Sequence, residues 1–107
     1  MSRRGVILDS YIVDTLMRDL VGHDRSAASF LVFLYLWRGT NSGTEAVATS
    51  YQSIAGGVGL SKRSVQDAVA KLAVRRLVTV KRAYATAVPE YRIRKPWARA
   101  KPSVKET

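Results

Sequence analysis

Residues 51–70, YQSIAGGVGLSKRSVQDAVA, contain two helical patterns that are separated by residues 59–61, beginning with Gly59. Ser50 is a suitable N-cap for a helix over residues 51–58, and Ser61 is a suitable N-cap for a helix over residues 62–76. Gly59, between them, can adopt the positive φ that a tight turn requires. The stretch therefore predicts two short helices that are connected by a sharp turn.

The apolar residues of this stretch have the spacing that two helices need in order to pack closely across such a turn. Ala55 supplies a small side chain where the helices would cross, and Gly59 follows it by four residues. The interior positions are Ile54, Val58, Leu60, Val65 and Ala68. This combination is typical of a helix-turn-helix. Gly56 and Gly57 depart from it, because adjacent glycines weaken a helix and favour an early end.

Two further helices are predicted before this motif. Asp9 can cap a helix to about Val21, with an apolar stripe formed by Ile12, Leu16 and Leu20. Ser26 can cap a second helix over residues 27–38, which is apolar on almost every side. Its apolar run covers residues 27–37, whereas a membrane span needs about 20 residues. We therefore interpret it as a central core helix, part of which a second subunit could cover.

The residues after the motif predict a hairpin. Residues 77–81 form one candidate strand, residues 83–87 a loop and residues 88–94 a second strand, while residues 45–49 could add a short extended segment. In the second strand, apolar and basic side chains alternate. The expected fold class is α+β and mainly α-helical.

Positive charge is concentrated in the C-terminal half of the chain. The whole chain carries 18 Lys and Arg against 8 Asp and Glu, a net charge of +10. The N-terminal 60 residues contribute no net charge, so the excess begins at the helix predicted from residue 62. This asymmetry predicts a polyanionic partner for the C-terminal half.

At this point the chain resembles the winged helix-turn-helix family of prokaryotic or viral transcriptional regulators and replication-associated proteins. The resemblance covers residues 25–97 and depends on YQSIAGGVGLSKRSVQDAVAKLAVRRLVTVKR and on the return strand EYRIRKPW. It implies a three-helix core with a two- or three-stranded β-wing. Residues 1–24 would then be an N-terminal helix and dimerisation arm, and residues 98–107 a flexible basic tail.

The resemblance also implies double-stranded DNA as the partner. The second motif helix, residues 62–76, would enter the major groove, and the wing, residues 78–94, would contact the backbone or minor groove. The implied DNA-binding residues of the helix and its cap are Ser61, Lys62, Arg63, Ser64, Gln66, Asp67, Lys71 and Arg75. Those of the wing are Lys81, Arg82, Arg92 and Arg94. Asp67 could read a cytosine, orient Arg63 one turn back or repel other sequences.

The composition offers little for catalysis, cofactors or metals. The chain has no Cys, so disulfides and thiolate metal sites are excluded, which fits a cytoplasmic, nucleoid-associated protein. His23 is the single histidine and lies beside Asp24 in a polar link. No nucleophile–base pattern or metal-ligand spacing is recognisable. We expect a binding protein that is not an enzyme and has no cofactor, no metal and no membrane span.

Several functions fit this pattern. Transcriptional regulation by a homodimer is our first expectation, with the N-terminal helix as the dimer contact, because two-fold operators pair with two-fold proteins. A plasmid, phage or viral replication or partition initiator would use the same fold. A winged helix that binds another protein is an alternative of a different class, and RNA binding is a weaker one.

Overall fold

The N-terminal segment of the protein is helical, but with wide turns. A computed structural model describes residues 5–99. It places π-helical turns at Ile12–Leu16 and Arg18–His23, where an α-helix capped by the Asp9 side chain was expected. Each hydrogen bond closes one residue later than in an α-helix, as in the bond from the Asp24 amide to the Asp19 carbonyl oxygen, at 2.8 Å. The Asp9 carboxylate instead accepts a hydrogen bond from the Trp97 indole, at 3.0 Å.

The stripe of the N-terminal segment is buried within the chain. Ile12, Leu16 and Leu20 are at most 3% exposed and belong to the main hydrophobic core. The expectation that this stripe would be available for a dimer contact is therefore wrong. The free side of the segment carries a second, narrower apolar row, consisting of Val13, Met17 and Val21.

Helix α1, Ala27–Gly39, is the centre of the molecule, as its composition predicted. The Ser26 hydroxyl caps it by accepting a hydrogen bond from the Ser29 amide. Its buried apolar side chains are Phe30, Val32, Phe33, Leu36 and Trp37. The helix ends at Thr40, whose buried hydroxyl donates to the Leu36 carbonyl oxygen at 2.8 Å. No helix among residues 5–99 is both long and apolar enough to cross a membrane.

Helices α2, Tyr51–Val58, and α3, Lys62–Val74, form the predicted pair. Gly59 lies between them with φ of +79°, in the left-handed region where glycine is least strained. Helix α2 continues through Gly56 and Gly57, although these residues favoured an early end. An added Cβ at Gly57 would overlap the Tyr35 ring of α1, so the missing side chain is what allows α2 to approach α1.

Three short strands form an antiparallel sheet in the order β1-β3-β2. Strand β1 is Val47–Ala48, β2 is Val78–Lys81 and β3 is Glu90–Ile93. Val78 lies opposite Ile93, and Val47 lies opposite Tyr91. These residues face the helices, so the sheet covers one side of the core. The result is an α+β fold that is mainly helical.

A short helix, α4, Pro96–Arg99, returns to the N-terminal segment. The Trp97 ring stacks on Tyr11 with a centroid separation of 4.8 Å. On the other side of the same segment, the Trp37 indole donates a hydrogen bond to the Ile7 carbonyl oxygen at 2.8 Å. Two tryptophans therefore attach the N-terminal segment to the rest of the domain. The expected tail begins at residue 98, within this helix, and most of it lies outside the described residues.

Candidate nucleic-acid interface

Helix α3 has one buried face and one polar exposed face. Its buried side chains are Val65, Ala68, Val69 and Leu72, which are at most 4% exposed. The opposite face and its flanks carry the exposed residues Lys62, Arg63, Gln66, Asp67 and Lys71. The predicted helix residues therefore lie on the surface and are not part of the core. Toward its end the exposed face becomes apolar, since Val74 is 82% exposed.

A pair of serines caps the N-terminus of α3. The Ser61 hydroxyl accepts a hydrogen bond from the Ser64 amide and donates one to the Ser64 hydroxyl, both at 3.0 Å. The Ser61 proton is therefore already used within the cap. The free amide groups of the first turn remain available to an anion.

Arg63 and Asp67 lie one turn apart on the outermost line of α3. The Arg63 Nε and Asp67 Oδ2 atoms are 4.0 Å apart, and both side chains are largely exposed. Of the three roles considered for Asp67, this distance favours the one in which the carboxylate orients Arg63. A pair this exposed contributes little to stability, so its value to the protein would lie in the direction it gives to the guanidinium.

The β2–β3 hairpin carries its cations at two different ends. Thr79 lies opposite Arg92, and Lys81 lies opposite Glu90, on the face of the sheet that points away from the core. Arg92 and Lys81 are exposed there, as the alternation in sequence predicted. Arg94 follows the strand at the end remote from the hairpin loop, so it does not join the cations near that loop.

Arg82, at the start of the hairpin loop, is held by contacts to two other segments. Its guanidinium donates to the Ala87 carbonyl oxygen at 3.1 Å and to the Tyr51 hydroxyl at 3.2 Å. It also lies over the Tyr51 ring, 5.5 Å from the centroid. Tyr51 is the first residue of α2, so this contact attaches the hairpin to the helix-turn-helix. The sequence prediction did not include Tyr51, because 31 residues separate it from Arg82.

Arg75, one of the predicted DNA-binding residues, has a partner within the protein. Its Nε and Nη2 atoms donate to the two carboxylate oxygens of Asp24 at 2.6 and 2.7 Å. The hydrogen bonds from Arg75 and from His23 lower the pKa of Asp24 to about 2. We therefore assign Arg75 to the attachment of the N-terminal segment and leave it out of the candidate interface.

Tyr91, in strand β3 of the hairpin, has a buried hydroxyl group. Its hydroxyl oxygen has no hydrogen-bond partner among the described residues, and the side chain is fully buried. Burial raises the pKa of this phenol to about 12, and the nearby Tyr51 adds to the rise. The group lies behind the interface and supports it by packing.

The structure has two further cations that the sequence prediction did not include. Arg76 and Lys95 lie with Arg94 around a groove at the end of α3. Arg76 is the last residue of the predicted helix and Lys95 follows the predicted strand, so neither position marked a binding surface in the sequence. No group of three or more His, Cys, Asp or Glu side chains within residues 5–99 could hold a metal ion.

Comparison with known proteins does not assign the chain to a family. No protein-family model matches it, and no curated protein is significantly similar to it.

Proposed function

We propose that this protein is a winged helix-turn-helix that binds double-stranded DNA and acts in transcriptional regulation without catalysing a reaction. The observation that carries the proposal is the division of α3 into a fully buried apolar face and an exposed face with Lys62, Arg63 and Gln66. A helix exposed in this way fits the major groove, which is about 12 Å wide. Arg and Gln side chains have the donor geometry to read guanine and adenine edges.

The order of elements supports the same assignment. Helix α1, strand β1, the α2–α3 pair and the β2–β3 hairpin follow one another as in a winged helix-turn-helix. The hairpin, which would be the wing, lies directly after α3 in the chain. Arg82 at its loop is oriented by Tyr51 of α2, so the cation has a defined position relative to the motif, as a contact to a DNA phosphate requires.

The charge distribution supports a phosphate backbone as the partner. Exposed cations on α3 and on the hairpin are Lys62, Arg63, Lys71, Lys81, Arg82 and Arg92. If they neutralise about six phosphates, affinity should fall by orders of magnitude between low and physiological salt. An interaction with a neutral protein surface would not have this dependence.

Selection from random duplex oligonucleotides at a stated salt concentration, followed by binding measurements on variants, tests the proposal. Arg63→Ala should cost about 1–3 kcal/mol on the selected site and relax its sequence preference. Arg92→Ala should weaken all sequences alike. Arg18→Ala, an exposed arginine of the N-terminal segment, is the control and should bind as the unmodified protein does. The proposal is wrong if no duplex is enriched, or if Arg63→Ala and Arg92→Ala bind unchanged.

The second proposed partner is another copy of the chain. The exposed row Val13, Met17 and Val21 replaces the buried stripe as the contact surface, and two-fold symmetry would match a palindromic DNA site. Sedimentation should show a dimer at tens of micromolar that Met17→Asp converts to a monomer. A monomeric unmodified protein at that concentration would exclude this contact while leaving DNA binding open.

A further inference from the structure

We propose a second, separate binding site for a phosphate group, in the groove between the end of α3 and the outward face of the sheet. The groove has a volume of about 500 Å³ and is lined by Ala73, Arg76, Thr79, Arg94, Lys95 and Pro96. Two of the lining residues, Arg76 and Arg94, carry guanidinium groups, and none carries a carboxylate. The site therefore attracts anions from the solvent.

Within the described residues, the two guanidinium groups have no carboxylate partner. Across residues 5–99, no carboxylate lies within 4.0 Å of the charged nitrogens of Arg76, Arg94 or Lys95. The Lys95 ammonium lies 4.9 Å from the centroid of the Trp37 ring and its Cε atom lies beside Gly43, so this charge is directed away from the groove. Guanidinium groups match the oxygens of a phosphate with paired hydrogen bonds, and the Thr79 hydroxyl could provide a further donor.

The backbone conformation of Arg76 belongs to the turn that ends α3. This residue has φ of +60°, in the left-handed region that a residue with a side chain rarely adopts. It directly follows the helix C-cap residue Arg75, the position where glycine is normally preferred. The Leu77 amide donates to the Leu72 carbonyl oxygen at 3.0 Å, and a glycine at position 76 would adopt the same conformation without strain.

The groove lies at the opposite end of α3 from Lys62 and Arg63, and Thr79 at its edge pairs with Arg92 of the hairpin. Ala73, the groove residue within α3, lies 12 positions after Ser61, a distance of about 18 Å along the helix axis. The hairpin loop lies at the other end of β2 and β3, roughly 13 Å away along the strands. The volume exceeds that of a single phosphate and lies within the range of small-molecule sites. The ligand is thus a phosphorylated small molecule or, if the duplex extends this far, a DNA backbone phosphate.

Titration with inorganic phosphate and with pyrophosphate, followed by amide NMR at constant ionic strength, tests the site without DNA. We expect saturable shifts at residues 76–79 and 94–95, with tighter binding of pyrophosphate. Arg76→Gly removes the guanidinium and is compatible with the positive φ, so it should keep the melting temperature within about 4 °C and weaken binding at least tenfold. Arg25→Gly is the matched control, because Arg25 is an exposed arginine with φ of +54° outside the groove.

The outcome with Arg25→Gly decides between a specific phosphate site and nonspecific attraction of phosphate to positive charge. Equal weakening by the two variants, or shifts spread over all exposed cations, would overturn the proposal. The source of the phosphate is then read from duplex binding. If Arg76→Gly leaves DNA affinity and its salt dependence unchanged, the ligand is a small phosphate compound. A decrease of about one in the slope of log affinity against log salt concentration assigns the groove to the DNA backbone. A protein that binds pyrophosphate but no duplex would retain this site and lose the proposed function.

Discussion

The Arg75 guanidinium donates two hydrogen bonds to the Asp24 carboxylate across 51 residues of sequence, at 2.6 and 2.7 Å. This pair connects the N-terminal segment to the end of α3, the helix proposed to contact DNA. Because it is bidentate and partly shielded from solvent, with side-chain exposures of 32% and 21%, it is better defined than an ordinary surface ion pair. The position of α3 therefore depends partly on the N-terminal segment.

We predict that Asp24→Asn lowers the free energy of unfolding at neutral pH by about 1 kcal/mol, a value typical of a well-oriented pair that remains partly solvated. The pKa of Asp24 is lowered in the folded protein from 3.8 to about 2. The stabilisation is therefore complete well above pH 4 and is lost as the pH falls through the range between these values. Urea unfolding at pH 6 and at pH 3 measures it.

In Asp24→Asn this part of the pH dependence should disappear. Asp14→Asn removes an exposed carboxylate of the same segment and should keep it. An Asp24→Asn variant with unchanged stability at both pH values would show that the pair contributes nothing measurable.

Gly57→Ala should destabilise the protein by about 1–3 kcal/mol, the usual cost of adding a methyl group to a packed contact. A Cβ at this position would overlap the Tyr35 ring, so the ring or α2 has to move. Gly56→Ala is the matched control, because a Cβ there meets no atom within 4 Å and should stabilise the helix by roughly 0.5–1 kcal/mol. Equal effects of the two substitutions, measured by thermal unfolding, would contradict this packing.

Tyr91→Phe should leave the free energy of unfolding unchanged or raise it by about 1 kcal/mol, because it removes a buried hydroxyl that has no partner among the described residues. Chemical denaturation at pH 7 measures the change. A loss of more than about 1 kcal/mol would mean that a water molecule satisfies the hydroxyl.

The raised pKa of Tyr91 also leads us to predict a loss of protein stability in alkali. The pKa of Tyr91 is raised from 10.0 to about 12 by burial, so its neutral form is favoured in the folded state. The corresponding stabilisation is present below pH 10 and is lost as the pH rises toward 12. Ultraviolet titration of phenolate formation should show one tyrosine fewer ionising in this range in Tyr91→Phe than in the unmodified protein.

Tyr51→Phe should weaken duplex binding by about threefold to tenfold while the fold is retained. The ring and its cation–π contact remain, but the hydroxyl that accepts the Arg82 hydrogen bond is removed. Arg82→Ala should have the larger effect, and the double variant should resemble Arg82→Ala, because the tyrosine acts through the arginine. Additive effects of the two substitutions would contradict this positioning role.

Local patterns were sufficient to predict most of the elements. Serine caps and helical periodicity predicted α1, α2 and α3 to within one or two residues, and Gly59 was identified as the turn. The alternation in residues 88–94 predicted which side of β3 faces the core. These features follow from interactions between residues a few positions apart, and such interactions are recorded in the spacing of residue types.

Contacts between distant segments could not be obtained in this way. The spacing of residues 9–21 did not distinguish π-helical turns from an α-helix, and it did not indicate that Ile12, Leu16 and Leu20 pack against the chain's own core. Basic composition did not separate Arg75, which pairs with Asp24, from Arg63, which remains exposed on α3. A side chain's periodic position gives its direction from the backbone, but its partner depends on which groups the folded chain brings within about 3 Å of it.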